Sequence, residues 1–272
     1  MKKIILSISA ILVSGLCMAQ SNVSVETQNG NSNIVLVAQV GLSNDSDVLQ
    51  TGDFNGALVL QTGDLNKSDV DQSGNLNGAL VVQDGNRNQS VVNQDGLGNL
   101  ALVNQDGNRN SSDVNQVGNS NIGQVNQVGN RNTADVDQIG MTNNADVDQL
   151  GNRNAAVIGQ YGNTNIAAIG QVGNDNSADI YQIGNDNNAT TMQTGNDNFG
   201  LSLQLGNDNA ITVAQNGDNN IDLTAQIGFD NTSMTTQTGN GNFAGALQLG
   251  NGHMNTATQL GNSNISLVFQ SN

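Results

Sequence analysis

The chain has 272 residues, with 23 acidic residues against seven basic ones, one cysteine, one histidine and no proline or tryptophan. A net charge of −16 without clustered Lys or Arg argues against a nucleic-acid partner, which needs a basic footprint to neutralise phosphates. Bulk composition rich in Asn, Gln and Gly would also suit a disordered tract, but the order of the residues does not.

Lys2 and Lys3 precede an apolar run from Ile4 to Leu16, too short for a membrane anchor, and small Ala19 closes a cleavage site with Cys17 at the minus-three position. Residues 1–19 therefore read as a signal peptide. Secretion is expected, with a mature chain that begins at Gln20 and carries no lipid, because Leu16 stands where a lipobox needs a small residue. Cleavage removes the only thiol and leaves five basic residues against 23 acidic ones, so neither a disulfide nor a thiolate metal site is available.

Residues 20–27 form a short N-terminal segment, and residues 28–272 are one repeat array. Gln stands at position 28 and at every eleventh residue to Gln270, 23 times. Gly follows two places later at all 22 positions from Gly30 to Gly261, and Asn follows five places later from Asn33 to Asn264, broken only by His253. Ungapped periodicity of this kind means stacked repeats. In the unit Gln127 to Asp137, alternate residues Asn132, Ala134, Val136 and then Gln138 fall on one side of an extended strand. That inner side holds Ala, Ser or Gly at 18 of 22 small positions and Val, Ile or Thr at 19 of 22 positions two residues on, which predicts a thin, dry core. Between strands, Gly supplies the positive φ of a tight corner. Inner Gln and Asn are expected to bond the same residue one layer up and one layer down.

Arg87, Arg109, Arg131 and Arg153 recur every 22 residues, as do Leu36, Leu58, Leu80 and Leu102, so alternate units belong to different faces. The fold class is therefore all-β: a β-solenoid of two-strand coils, each 22 residues long and built from two 11-residue half-repeats. About 11 coils in cross-β stacking would span roughly 53 Å at ~4.8 Å per layer.

The spacing Q-x-G-x-x-N-x-A-x-x-x-Q, seen in full from Gln138 to Gln149, resembles that of the bacterial curlins, the subunits of curli fibres. The resemblance runs from residue 28 to residue 270. It implies a subunit exported through an outer-membrane curli pore and nucleated at the cell surface, with a minor nucleator curlin as a further partner. The product would be a homopolymer amyloid fibre that serves biofilm and adhesion. The C-terminal unit lacks the basic residues of some nucleator subunits, so a fibre-building role is implied.

No catalytic group, cofactor site or metal site stands out. His253 has no suitably spaced partner and reads as a tolerated substitution in the Asn column. The Arg column, continued by Asp175 and Asp197, reads as a solvated corner offset by Asp84 and Asp106. Asp186, Asp208 and Asp230 lack the pattern of calcium-binding rolls. Leu36, Leu58, Leu80 and Leu102, with Leu60 and Val82, form an outward stripe suited to lateral contact in a fibre. The growth ladder is assigned to the end coils, at Gln28, Asn33, Gln39 and Asn44 and at Gln248, Gln259, Asn264 and Gln270, and neither end shows a Pro or charged cap. The rival function is a monomeric secreted solenoid, either ice-binding or a surface adhesin. It is disfavoured because Met234 interrupts the Thr190, Thr212 and Thr256 column and because capping segments are not apparent.

Overall fold

A computed structural model describes residues 21–272; the signal-peptide reading of residues 1–19, and Cys17 with it, lies outside the described residues. Among the described residues, twenty-three strands follow one another from β1 (Val23–Asn29) and β2 (Ile34–Val40) to β22 (Met254–Leu260) and β23 (Ile265–Ser271). Odd-numbered strands form a 12-stranded sheet and even-numbered strands an 11-stranded one. Every pairing is parallel and joins residues 22 apart, as in Gln127 with Gln149 or Val136 with Ile158. The coil is thus 22 residues, two strands and two corners. Pairing begins at Val23, so most of the segment before Gln28 already belongs to the first coil.

Period-two alternation decides which side chains go inside. In β10 (Ile122–Asn130) the inward residues are Gly123, Val125 and Gln127, with the intervening positions facing out. The small column exists because the facing sheet fills it: a Cβ on Gly123 would lie 3.0 Å from Val114 Cγ1, and one on Gly200 would lie 3.0 Å from Thr191 Cγ2. Small faces large across the core, so the two sheets close on one layer of side chains from each. Val48, Val70, Val92, Val114 and Val136 are all fully buried in the odd sheet.

Each corner carries two residues of positive φ. The repeated Gly is one, at φ 121° in Gly129, and a Cβ there would sit 1.9 Å from the carbonyl oxygen of Gly151 one layer on. No side chain fits, which accounts for a Gly column without exceptions. The second is two residues later and is left-handed at about 55–60° although 19 of the 22 occupants are not glycine, Arg131 (φ 59°) and Asp175 (φ 57°) among them. An L-residue there costs ~1–2 kcal/mol. Stacking holds it in place, since the Arg131 N–H donates to Asn108 O at 3.0 Å and the Thr133 N–H to Asn154 O at 2.8 Å.

Candidate functional site

The repeated Gln has two amide protons and uses both. Gln127 Nε2 donates to Gln149 Oε1 at 2.9 Å one coil on, and to Ser111 O at 3.0 Å across the core. A backbone carbonyl only accepts, so the second bond fixes which amide atom is nitrogen and hence the direction of the first. Two one-way ladders result, from Gln28 to Gln270 in the odd sheet and from Gln39 to Gln259 in the even sheet.

Asn departs from the expected like-to-like stacking. The Asn132 backbone N–H donates to Asn110 Oδ1 at 3.0 Å, and Asn132 Nδ2 donates to Gly151 O at 2.9 Å. Asn therefore clamps the corner of the next layer while Gln ties the strands. Direct Asn-to-Asn amide bonds occur at only some layers, such as Asn176 to Asn154 at 3.1 Å. His253 keeps part of the Asn role: its N–H donates to Asn231 Oδ1 at 3.0 Å and its ring Nε2 lies 2.9 Å from Leu249 O. Asn264 makes the same local bond to Leu260 O at 3.1 Å.

The ladders leave the two ends chemically different. Among the described residues nothing donates to Oε1 of Gln28 or Gln39, so the N-terminal end presents two acceptors. At the other end Gln259 donates to Phe243 O at 2.9 Å and Gln270 to Met254 O at 2.8 Å, leaving one N–H of each directed outward. Asn33 and Asn264 are half-buried at the outermost corners. Asn44 and Gln248 lie one layer in and are fully buried: Asn44 donates to Gly63 O at 2.7 Å, and Gln248 is bonded on both sides, to Gln226 and Gln270.

One expectation about the ends needs correcting. Glu26 is aligned with fully buried Val48, so it occupies the inward valine column of β1 and lies open at the end face, accepting from Ser24 Oγ at 3.3 Å. An inward-pointing charge is a known means of blunting a sheet edge. Glu26 lies two places before the first Gln, where other units carry the core residue, and that offset would have revealed it. Asp222 was also missed. It fills a small-column slot, wholly buried, and burial pushes its carboxyl up to about 6 against the opposing hydrogen bond from Thr224.

On the outer faces, Leu36, Leu58, Leu80 and Leu102 stack as adjacent rungs of the even sheet, with Leu36 39% exposed and the next three half-buried against one another. A second apolar face lies on the odd sheet near the C-terminus, where Leu201, Leu223 and Leu267 share one column and Leu203, Leu247 and Phe269 the next. Thr190, Thr212, Met234 and Thr256 do share a column. The arginines line one corner groove. Asp84 and Asp106 do not pair with them: the one ion pair among the described residues joins Arg153 to Asp175 through two hydrogen bonds. No cluster of His, Cys, Asp or Glu among the described residues is arranged to hold a metal ion.

The family model described as a curlin associated repeat matches residues 43–74, 74–107, 118–151, 140–173, 151–184, 173–199, 184–217 and 228–261. The chain belongs to the curlin repeat family. In this curlin-repeat chain the motif residues have separate duties: Gln ties strands, Gly admits the next layer, and Asn clamps its corner. No curated protein matches the chain. A curlin-repeat solenoid fits a structural subunit of the curli type, and the family is associated with extracellular curli fibres.

Proposed function

We propose that the secreted chain polymerises end to end into an extracellular amyloid fibre of the curli type, serving as matrix and adhesive material. The observation that carries this reading is the polarity of the glutamine ladders, with acceptors at Gln28 and Gln39 and donors at Gln259 and Gln270. Head-to-tail stacking matches donor to acceptor. Head-to-head contact would oppose like groups and leave them unsatisfied, at ~1–3 kcal/mol each. Unpaired strand edges at β1, β2, β22 and β23 add a full set of backbone partners for a second copy. Growth then needs no kind of contact that the coil does not already make.

Within this proposal, export through an outer-membrane curli pore delivers the chain and a minor nucleator curlin starts the fibre. Glu26 slows spontaneous joining, because a second copy must enclose its carboxylate. The test is to incubate the mature protein and examine the product. Dye-binding fibres with a ~4.8 Å meridional repeat are expected. A folded protein that stays monomeric at every concentration would overturn the reading.

A further inference from the structure

We propose that successive copies join with a half-turn about the fibre axis, β1 pairing with β22 of the copy below and β2 with β23, so that odd and even sheets exchange at every junction. The inference rests on the end-to-end reading above and adds the geometry of the joint.

Each strand pairs with the strand two places on, and the described chain has 23 strands, an odd number. The C-terminal end therefore offers an edge on β22 and an edge on β23, and an incoming β1 that continues the winding lands on β22. If instead the odd sheet continued as the odd sheet, β1 would pair with β23. The next copy's β2 would then stand two strand spacings above β22, leaving a slot ~4.8 Å wide with unpaired backbone on both sides.

A half-turn is permitted because the two half-coils are built alike. Asn33 and Asn44, at opposite corners, both donate Nδ2 to the glycine carbonyl 19 residues on, to Gly52 O and Gly63 O at 2.7 Å each. Both sheets carry the same Gln ladder with the same polarity. Exchange of sheets thus changes none of the repeated contacts. Gln39 Oε1 receives Gln270, and Gln28 Oε1 receives Gln259.

The outer faces supply a separate argument. With the half-turn, the column Leu201, Leu223, Leu267 runs directly into Leu36, Leu58 and Leu80 of the next copy, and inside the core Val268 runs into Val37. The strand β23, whose Leu267 is 72% exposed and Phe269 65% exposed, then meets the apolar β2. Without the half-turn the same column runs through Val25 into Asp47 and Asp69, and Val268 meets Glu26. The half-turn joins the two apolar faces into one and gives the fibre two equivalent sides.

Disulfide trapping in fibres separates the two joints. Side chains at 269 and 38 are neighbours only with the half-turn, and those at 269 and 27 only without it; within one copy they lie at opposite ends. In mature chains, which begin at Gln20 and hold no other thiol, the pair Ala38→Cys with Phe269→Cys should give covalent multimers on oxidation of the fibre, resolved without reductant. The pair Thr27→Cys with Phe269→Cys should stay monomeric. Multimers from the second pair alone, or fibres that yield none from either, would overturn the half-turn. If the first pair prevents fibre formation, Ile34→Cys with Ile265→Cys against Val23→Cys with Ile265→Cys repeats the comparison. Failure of the unsubstituted mature chain to form any fibre would instead overturn the end-to-end reading, and the half-turn with it.

Discussion

The middle of the solenoid and its two ends are made of the same residues doing different amounts of bonding. Gln127 receives an amide proton from Gln105, gives one to Gln149 and gives another to Ser111. Among the described residues, Gln28 and Gln39 lack the first of these, and Gln259 and Gln270 lack the second. Nothing in the local backbone distinguishes the two settings, so what differs is only the presence of a neighbouring layer. Stability in the middle and growth at the ends are then the same chemistry, separated by position.

The comparison breaks most sharply at glycine. Gly129→Ala puts a Cβ 1.9 Å from the Gly151 oxygen, whereas a Cβ at Gly261 has nothing nearer than Asn264 Nδ2 at 3.7 Å. Both positions have positive φ, so backbone strain is shared. The middle variant is expected to lose on the order of 4 kcal/mol or more, or to fail to fold. Gly261→Ala should fold and add poorly to fibres. Urea unfolding of the two monomers, followed by growth assays, measures both.

Asp222 gives the next largest effect. Its folded carboxyl binds a proton up to about pH 6, the unfolded one only to about 4, so the native state holds the extra proton between these values. The stability this carboxyl contributes is therefore greatest below pH 4, falls as pH rises to about 6, and is level above. At pH 7 Asp222→Asn should gain about 3 kcal/mol, and at pH 3.5 nothing. Partly buried Asp113, Asp135 and Asp179, raised first by desolvation, tilt the whole molecule in the same direction. Urea midpoints at the two pH values check the sign.

At the N-terminal end, Glu26→Gln removes the charge that a second copy must enclose. Fibre growth at neutral pH should rise roughly tenfold, the equivalent of ~1.4 kcal/mol at the joint, while the urea midpoint of the monomer stays put. An unchanged growth rate would show that the carboxylate does not guard the end. Smallest is the serine column. Ser68 and Ser90 bury hydroxyls without hydrogen-bond partners, and the double change to Ala should be neutral or stabilising by up to ~1 kcal/mol, read from the same unfolding curves.

Most of the architecture was legible because translation makes it so. When every eleventh residue is Gln and columns such as Arg87 to Arg153 and Leu36 to Leu102 repeat at 22, register, sheet membership and inward face follow from one another. Other features carried no such signal. The second left-handed position is filled by Ser, Leu, Arg, Thr, Asp and even Phe54, since the stacked carbonyls and not the residue's own preference hold it. Only Gly98, Gly241 and Gly252 hint at it. The Asn clamp also escaped, because its partner is a backbone oxygen 19 residues away and not a side chain that a column would display. Glu26 stands outside the pattern because the Gln column begins two residues after it, at Gln28.

If the open ladders are the growing surface, the end rungs control growth independently of stability. One rung of each ladder is removed at the end, by Gln259→Ala with Gln270→Ala, and one of each in the middle, by Gln149→Ala with Gln160→Ala. Elongation of preformed wild-type seeds is then followed at matched concentrations of folded monomer. The middle pair, which loses three bonds per Gln, is expected to lower the urea midpoint further yet elongate at the wild-type rate, and the end pair, which loses two bonds per Gln within the monomer, to lower it less and elongate at least roughly tenfold more slowly, as a loss of ~1.4 kcal/mol at the joint requires. Equal elongation rates for the two pairs would contradict the claim that the open ladders are the growing surface.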